Sequence, residues 1–122
     1  MSLKQVIVVR TDLNMRKGKM IGQGAHASME FIRSKFLADE AWKTHEMEWL
    51  LSPEHAKIVC KANNEDELLS LHKAAIDAGL CAHIVTDLGL TEFKGVKTRT
   101  CLAIGPDDAD KINKITGHLE LL

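Results

Sequence analysis

The sequence predicts an α/β fold, and two observations carry the prediction. Short β-branched runs, too brief for helices, alternate with longer segments whose apolar residues recur at steps of three and four. The first run, Gln5-Val6-Ile7-Val8-Val9, is nearly continuous in β-branched residues, as suits a strand buried on both faces. Two helical segments separate the first and second strands, and one separates the second and third. The third and fourth are joined by a loop of about ten residues, a hairpin-like link. The element order is β-α-α-β-α-β-β-α, with parallel pairing across the helices and a mixed sheet overall.

After the first strand, Thr11 to Gly18 reads as a turn-like loop and Lys19 to Leu37 as a helix. Met20, Gly24, Ala27 and Phe31 form its inward stripe, widened by Ile21, Ala25, Ser28, Ile32 and Phe36. A second helix, from about Glu40 to Leu51, carries Trp42 and Trp49 at core spacing and stops before Pro53. Lys57 to Lys61 is the second strand. Asn63 or Asn64 then caps a helix whose first turn is acidic, at Glu65, Asp66 and Glu67. Its core face is Leu68, Leu71, Ala75 and Ile76, and Gly79 ends it. Ala82 to Val85 is the third strand and Thr98 to Ile104 the fourth. Pro106, with Asp107 and Asp108 behind it, is expected at the first position of a last short helix that ends near Gly117. The tail Leu119-Glu120-Leu121-Leu122 is expected to pack on the core.

At 122 residues the chain, 1–122, has room for one domain, and a hydrophobic share of 45% supplies a core without staples. A net charge of −1 excludes a protein that coats nucleic acid through bulk charge, though not one with a local basic site. Cys60, Cys81 and Cys101 form no CxxC pair and sit in or beside apolar runs, which fits a reducing compartment better than a disulfide framework. No secretory leader is visible and no apolar run nears the ~20 residues of a membrane span. The expectation is a soluble, cytoplasmic protein without a membrane partner. The six histidines lack ligand spacing, so no metal is expected.

Chemistry concentrates between Asp12 and Ala27. Lys19, Gln23 and His26 fall at i, i+4 and i+7, on one helix face, with the apolar stripe expected opposite. Arg16-Lys17-Gly18-Lys19 places cations at the helix start, where they work against the dipole while free N–H groups favour an anion. A phosphate or carboxylate ligand explains that choice. Gly22-Gln23-Gly24-Ala25-His26-Ala27 matches the dinucleotide pattern GxGxxA, but its glycines lie inside a helix, about ten residues beyond the strand where the true fingerprint starts. A second loop, Asp87-Leu88-Gly89-Leu90-Thr91-Glu92, leaves the carboxyl end of the third strand, where open α/β sheets hold ligands.

The run Val8-Val9-Arg10-Thr11-Asp12-Leu13, then Met15, Gly18-Lys19, Gln23 and His26-Ala27, resembles the signature of the type 2 peptidyl-tRNA hydrolases. Gly89-Leu90-Thr91-Glu92, Leu102-Ala103-Ile104-Gly105-Pro106 and Thr116-Gly117-His118-Leu119 extend the resemblance in order over essentially the whole chain. It departs at Leu88, where alanine is common, at Ser52-Pro53-Glu54-His55 and at Lys97, and it is weakest from Arg33 to Leu51.

The resemblance implies a three-layer α/β/α arrangement with a four-stranded mixed sheet, often as a homodimer. The implied reaction is cleavage of the ester between a peptide and the 3′ ribose of tRNA, without metal or organic cofactor. It implies Lys19, Asp87 and Thr91 as the catalytic set, with Gln23 and His26 nearby and Arg10, Lys17 and Lys19 receiving acceptor-end phosphates. Asp87, oriented by Thr91, would position the attacking water, while Lys19 stabilises developing negative charge. His26 stands as the competing base. Two other classes remain open on sequence alone: a non-catalytic tRNA- or protein-binding module on the same fold, and a nucleotide-binding domain.

Overall fold

The computed structural model describes residues 2–122. Nine elements follow one another: β1 (Leu3–Arg10), α1 (Lys17–Ala38), α2 (Thr44–Leu51), β2 (Lys57–Ala62), α3 (Glu65–Asp77), β3 (Ala82–Asp87), a 3-10 turn (Phe93–Gly95), β4 (Thr98–Asp108) and α4 (Ala109–Thr116). The four strands form one mixed sheet in the order β2-β1-β4-β3. β1 pairs β2 in parallel, and β4 runs antiparallel to both β1 and β3. β1 is central, so its inner residues are buried on both faces, as its unbroken apolar run requires.

Alternation along β1 divides the core in two. Val6 and Val8 pack with Cys60, Leu68, Leu71, Leu102, Ile104 and Ile112, on the side of α3 and α4. Ile7 and Val9 pack with Met15, Ala27, Cys101 and Ala103, under α1. Phe31 of α1 extends this second layer by meeting Trp42 and Trp49 edge-on, at 6.0 and 5.9 Å. The turn joining α1 and α2 is pinned by a buried ion pair, Lys35 Nζ to Glu46 Oε1 at 2.8 Å. Lys35 also donates to the Ala41 carbonyl, and Glu46 accepts the Lys43 N–H, so both charges carry further partners.

Several boundaries differ from expectation. α1 begins two residues early, at Lys17, and α2 begins only at Thr44. The Lys43 N–H is capped by the Glu46 carboxylate three residues on, which fixes that start. Pro106 does not open the last helix. β4 runs on through it, because Asp107 and Asp108 pair with Lys4 and Leu3 of β1. A register shift between Lys4 and Val6 accommodates Gly105 and Pro106, which are joined by a cis peptide bond. Gly105 has φ +93°, and a Cβ there would lie 2.8 Å from the Lys4 carbonyl oxygen, so only glycine fits.

Ile76, expected in the core face of α3, is half-exposed; the buried positions are Leu68, Leu71 and Ala75. Leu119 packs against the core as expected, whereas the residues after it line the β2 edge. Lys61 N donates to the Glu120 carbonyl and Leu122 N to that of Val59, leaving Leu121 and Leu122 largely exposed.

The largest correction concerns α1. Its buried line is Gln23, Ala27, Phe31 and Lys35, not the wide apolar stripe. Ile21 is 73% exposed and Phe36 77%, and Ala25 also faces solvent. α1 lies over β1, β4 and β3 but not over β2, so its flank on the β2 side has no cover. Gln23, expected on a solvated polar face opposite that stripe, is 4% exposed and belongs to the buried line. No helix among the described residues is long and apolar enough to cross a membrane.

Candidate active site

The carboxyl ends of β1 and β3 and the first turns of α1 meet at one corner of the sheet, and Asp87 is its hub. Lys19 Nζ donates to Asp87 Oδ1 at 2.9 Å and to Thr91 Oγ1 at 3.0 Å. Gln23 Nε2 donates to the same Asp87 oxygen at 3.3 Å, and the Gly89 N–H donates to Asp87 Oδ2 at 2.9 Å. Lys19 stands beside Phe93, its Nζ 5.7 Å from the ring centroid. One helix and one loop, far apart in sequence, thus converge on one carboxylate.

Local backbone explains the convergence. Asp87 is the last residue of β3, and the chain turns at once through Gly89, whose φ is +81°. A side chain at Gly89 would collide with the Val96 carbonyl, so the turn demands glycine there. The Gly95 N–H closes the loop onto the Gly89 carbonyl at 2.8 Å, which swings Thr91 back toward Lys19. Sequence reasoning had Thr91 orienting Asp87 directly. In the structure Thr91 reaches Asp87 only through Lys19, and the Gly89 N–H and Gln23 do the orienting.

Burial works to raise the Asp87 pKa. The Lys19 hydrogen bond, the Gly89 N–H, the Lys19 charge and Gln23 together outweigh it and hold the carboxyl below its ordinary value. Asp87 is therefore a carboxylate at neutral pH, an acceptor with lone pairs to spare. Lys19 spends two of its three ammonium donors on Asp87 and Thr91, and its third meets no acceptor among the described residues. Thr91, accepting from Lys19, keeps its own O–H to donate.

Thr100 escaped the sequence reading. It is fully buried, and its Oγ1 donates to Gln23 Oε1 at 2.5 Å. β3 and β4 slip register between Val85–Cys101 and Thr86–Arg99, so Thr100 is the extra residue of a bulge. Strict alternation from Cys101 would send Thr100 away from α1; the bulge turns it toward Gln23.

The other expected residues divide. Lys17 is exposed at the start of α1 beside Arg16, which lies 3.5 Å from Glu92. Arg10 is only 8% exposed and its guanidinium is occupied: it grips both Asp12 oxygens at 3.0 and 2.7 Å and donates to the Arg99 carbonyl at 2.9 Å. His26 is exposed on α1 and bonds neither Lys19 nor Asp87. Gly22 and Gly24 lie inside α1, beyond its first turn, so they cannot cradle a phosphate as a dinucleotide loop does. Burial pushes the Cys81 and Cys101 thiols up to about 11, away from nucleophile chemistry. No three His, Cys, Asp or Glu side chains converge as metal ligands among the described residues.

A family model described as peptidyl-tRNA hydrolase PTH2 matches residues 3–122. The chain is 43% identical over 121 residues to a peptidyl-tRNA hydrolase of Methanothermobacter thermautotrophicus, covering 98% of this chain and 100% of the relative. A peptidyl-tRNA hydrolase of Methanocaldococcus jannaschii matches at the same identity and coverage. That of Methanopyrus kandleri is 45% identical over 120 residues, covering 98% and 97%. A solved structure of a protein of unknown function from Agrobacterium tumefaciens strain C58 shares the fold, with a TM-score of 0.62 at 10% identity over 100% of this chain and 98% of that one.

Proposed function

The chain belongs to the peptidyl-tRNA hydrolase PTH2 family, and we propose that the set around Asp87 is the centre at which it hydrolyses peptidyl-tRNA. The observation that carries this reading is the ion pair of Lys19 and Asp87, held at 2.9 Å with a donor of Lys19 left free.

Cleavage of the peptidyl ester needs a placed water, an acceptor for its proton and a donor facing the carbonyl oxygen. Asp87, kept ionised and fixed by three donors, holds the water and accepts its proton as the O–H adds to the ester carbon. The free N–H of Lys19 meets the oxyanion that forms. Thr91 holds Lys19 on one side, and Thr100 and Gln23 hold Asp87 on the other. The ribose oxygen then departs with the electron pair of the broken C–O bond and takes the proton that Asp87 accepted from the water, which restores the carboxylate.

Lys17 and Arg16 line the approach, and acceptor-end phosphates are their natural partners. Arg10 shapes this approach by holding Asp12, rather than by receiving phosphate itself. His26, on the rim, serves substrate contact and not proton transfer. We propose in addition that the protein works in the cytoplasm and as a homodimer, which sedimentation at micromolar concentration checks.

Turnover of N-acetyl-aminoacyl-tRNA against unblocked aminoacyl-tRNA tests the assignment. Selective release of the blocked amino acid is expected. tRNA binding without release would instead identify a binding module.

A further inference from the structure

The uncovered flank of α1 borders an apolar groove of about 670 Å³. Ile7 and Val9 form its floor, Val59 of β2 one wall, and Ile21, Ala25 and Met29 the other. Met29 is 60% exposed on this wall. Lys17 stands at the Val9 end. Lys57 stands at the other, because it pairs with Gln5, which bonds Ser28 of α1. From Val9 to Gln5 the strand spans about 13 Å, the length of about four extended residues. No Asp or Glu side chain lines the groove among the described residues, and Leu122 borders it beside Val59.

The groove begins on the helical turn that carries Lys19. Between them, on the outward surface of α1, lie Gly18 and Gly22, both exposed. A Cβ at either would meet nothing within 4 Å. Packing within the chain therefore does not call for glycine there, and glycine is a poor helix former. Bare backbone at these positions gives a low crossing from the catalytic corner to the groove.

We propose that the peptide part of peptidyl-tRNA leaves the ester at Lys19 and Asp87, crosses α1 over Gly18 and Gly22, and lies extended in this groove. The proposal rests on the reading of Lys19 and Asp87 as the hydrolytic centre. Its occupant follows from chemistry: a substrate whose ester sits at Lys19 must lead its own chain away from that point, and the adjoining surface is apolar. Peptides with apolar side chains near the ester fit it, and lysine-bearing peptides meet Lys17 and Lys57. A second copy seated there would gather four lysines, Lys17 and Lys57 of each chain, around a seam that no Asp or Glu side chain lines.

The test uses three substrates with the same ester-linked residue: N-acetyl-leucyl-tRNA, and N-acetyl tetrapeptidyl-tRNAs carrying either leucines or lysines at the three preceding positions. The wild type is expected to show a KM about tenfold lower for the leucine tetrapeptide than for the lysine one. Ala25→Glu and Met29→Glu should abolish that preference while shifting N-acetyl-leucyl-tRNA far less. Gly22→Ala should raise Tm, as alanine does in a helix, yet raise KM for the tetrapeptides alone. Equal KM values for the two tetrapeptides in the wild type overturn the proposal, as do variants that impair all three substrates alike. Sedimentation that shows Ala25→Glu dissociating a dimer assigns the groove to a second copy and also overturns it. A wild type that hydrolyses none of the three substrates refutes the hydrolytic reading itself.

Discussion

Thr100 Oγ1 donates to Gln23 Oε1 at 2.5 Å, and that bond decides which end of the Gln23 amide faces Asp87. With the carbonyl oxygen committed to Thr100, the Nε2 hydrogens point at the carboxylate. If the amide turned over, an acceptor would face an acceptor, and Asp87 would lose one of its donors.

Thr100→Val keeps the shape and deletes the donor. The expected cost is about 1–3 kcal/mol of stability, from a buried carbonyl left without a partner. A fall in kcat of about three- to tenfold should accompany it, a modest effect in transition-state terms. Thr100→Ser should recover most of both. Denaturant melts and steady-state kinetics on N-acetyl-aminoacyl-tRNA check this, and unchanged kcat in the valine variant would remove Thr100 from the site.

The depressed pKa of Asp87 has a definite sign in pH. Its stabilising contribution is present above the unfolded carboxyl value and is lost as pH falls through the lower folded value. Between about pH 4.5 and pH 3, the wild type should therefore lose more stability than Asp87→Asn, which has no carboxylate to protonate there. Parallel melting curves for the two proteins across that window would show that Lys19 and Gly89 do not hold the carboxylate as described.

Arg10 and Lys17 should fail in different ways. Lys17→Ala should weaken tRNA binding and lower the slope of log affinity against log salt by about 0.7–0.9, the share of one phosphate contact. Arg10→Ala should leave that slope alone and lower stability by about 1.5–3 kcal/mol, from its lost charged hydrogen bonds. Filter binding across a salt series, beside thermal melts, separates them.

The buried pair of Lys35 and Glu46 makes a prediction about folding alone. Lys35→Met leaves Glu46 charged and enclosed, at a cost of about 3–5 kcal/mol. The double change Lys35→Met with Glu46→Leu should recover much of that loss, because no lone charge remains. Denaturant melts of the single and double variants check the recovery.

The sequence disclosed the Lys19 and Asp87 loops because both signals are local. Cations at a helix start and an Asp-Leu-Gly turn at a strand end can be read without knowing what packs where. The family resemblance then paired them. Thr100 was not legible, because its direction depends on a bulge between two strands, and pairing register is not written in either strand alone. Pro106 misled for a related reason: beside Asp107 and Asp108 it looks like a helix start, yet the β1 partner strand holds that segment extended. In α1 the helical period found the apolar positions correctly. It could not say which flank would face the sheet, and that omission hid both the burial of Gln23 and the open groove beside Ile21.

Lys19 is where the account is tested most directly. Lys19→Ala, compared with wild type on N-acetyl-aminoacyl-tRNA, should lower kcat on the order of 100- to 1,000-fold, as loss of an oxyanion donor does. Its Tm should fall modestly, because Asp87 loses its ion-pair partner, while its affinity for deacylated tRNA should change little. A variant that folds, binds tRNA and turns over at near the wild-type rate would contradict the central claim that Lys19 and Asp87 form the hydrolytic pair.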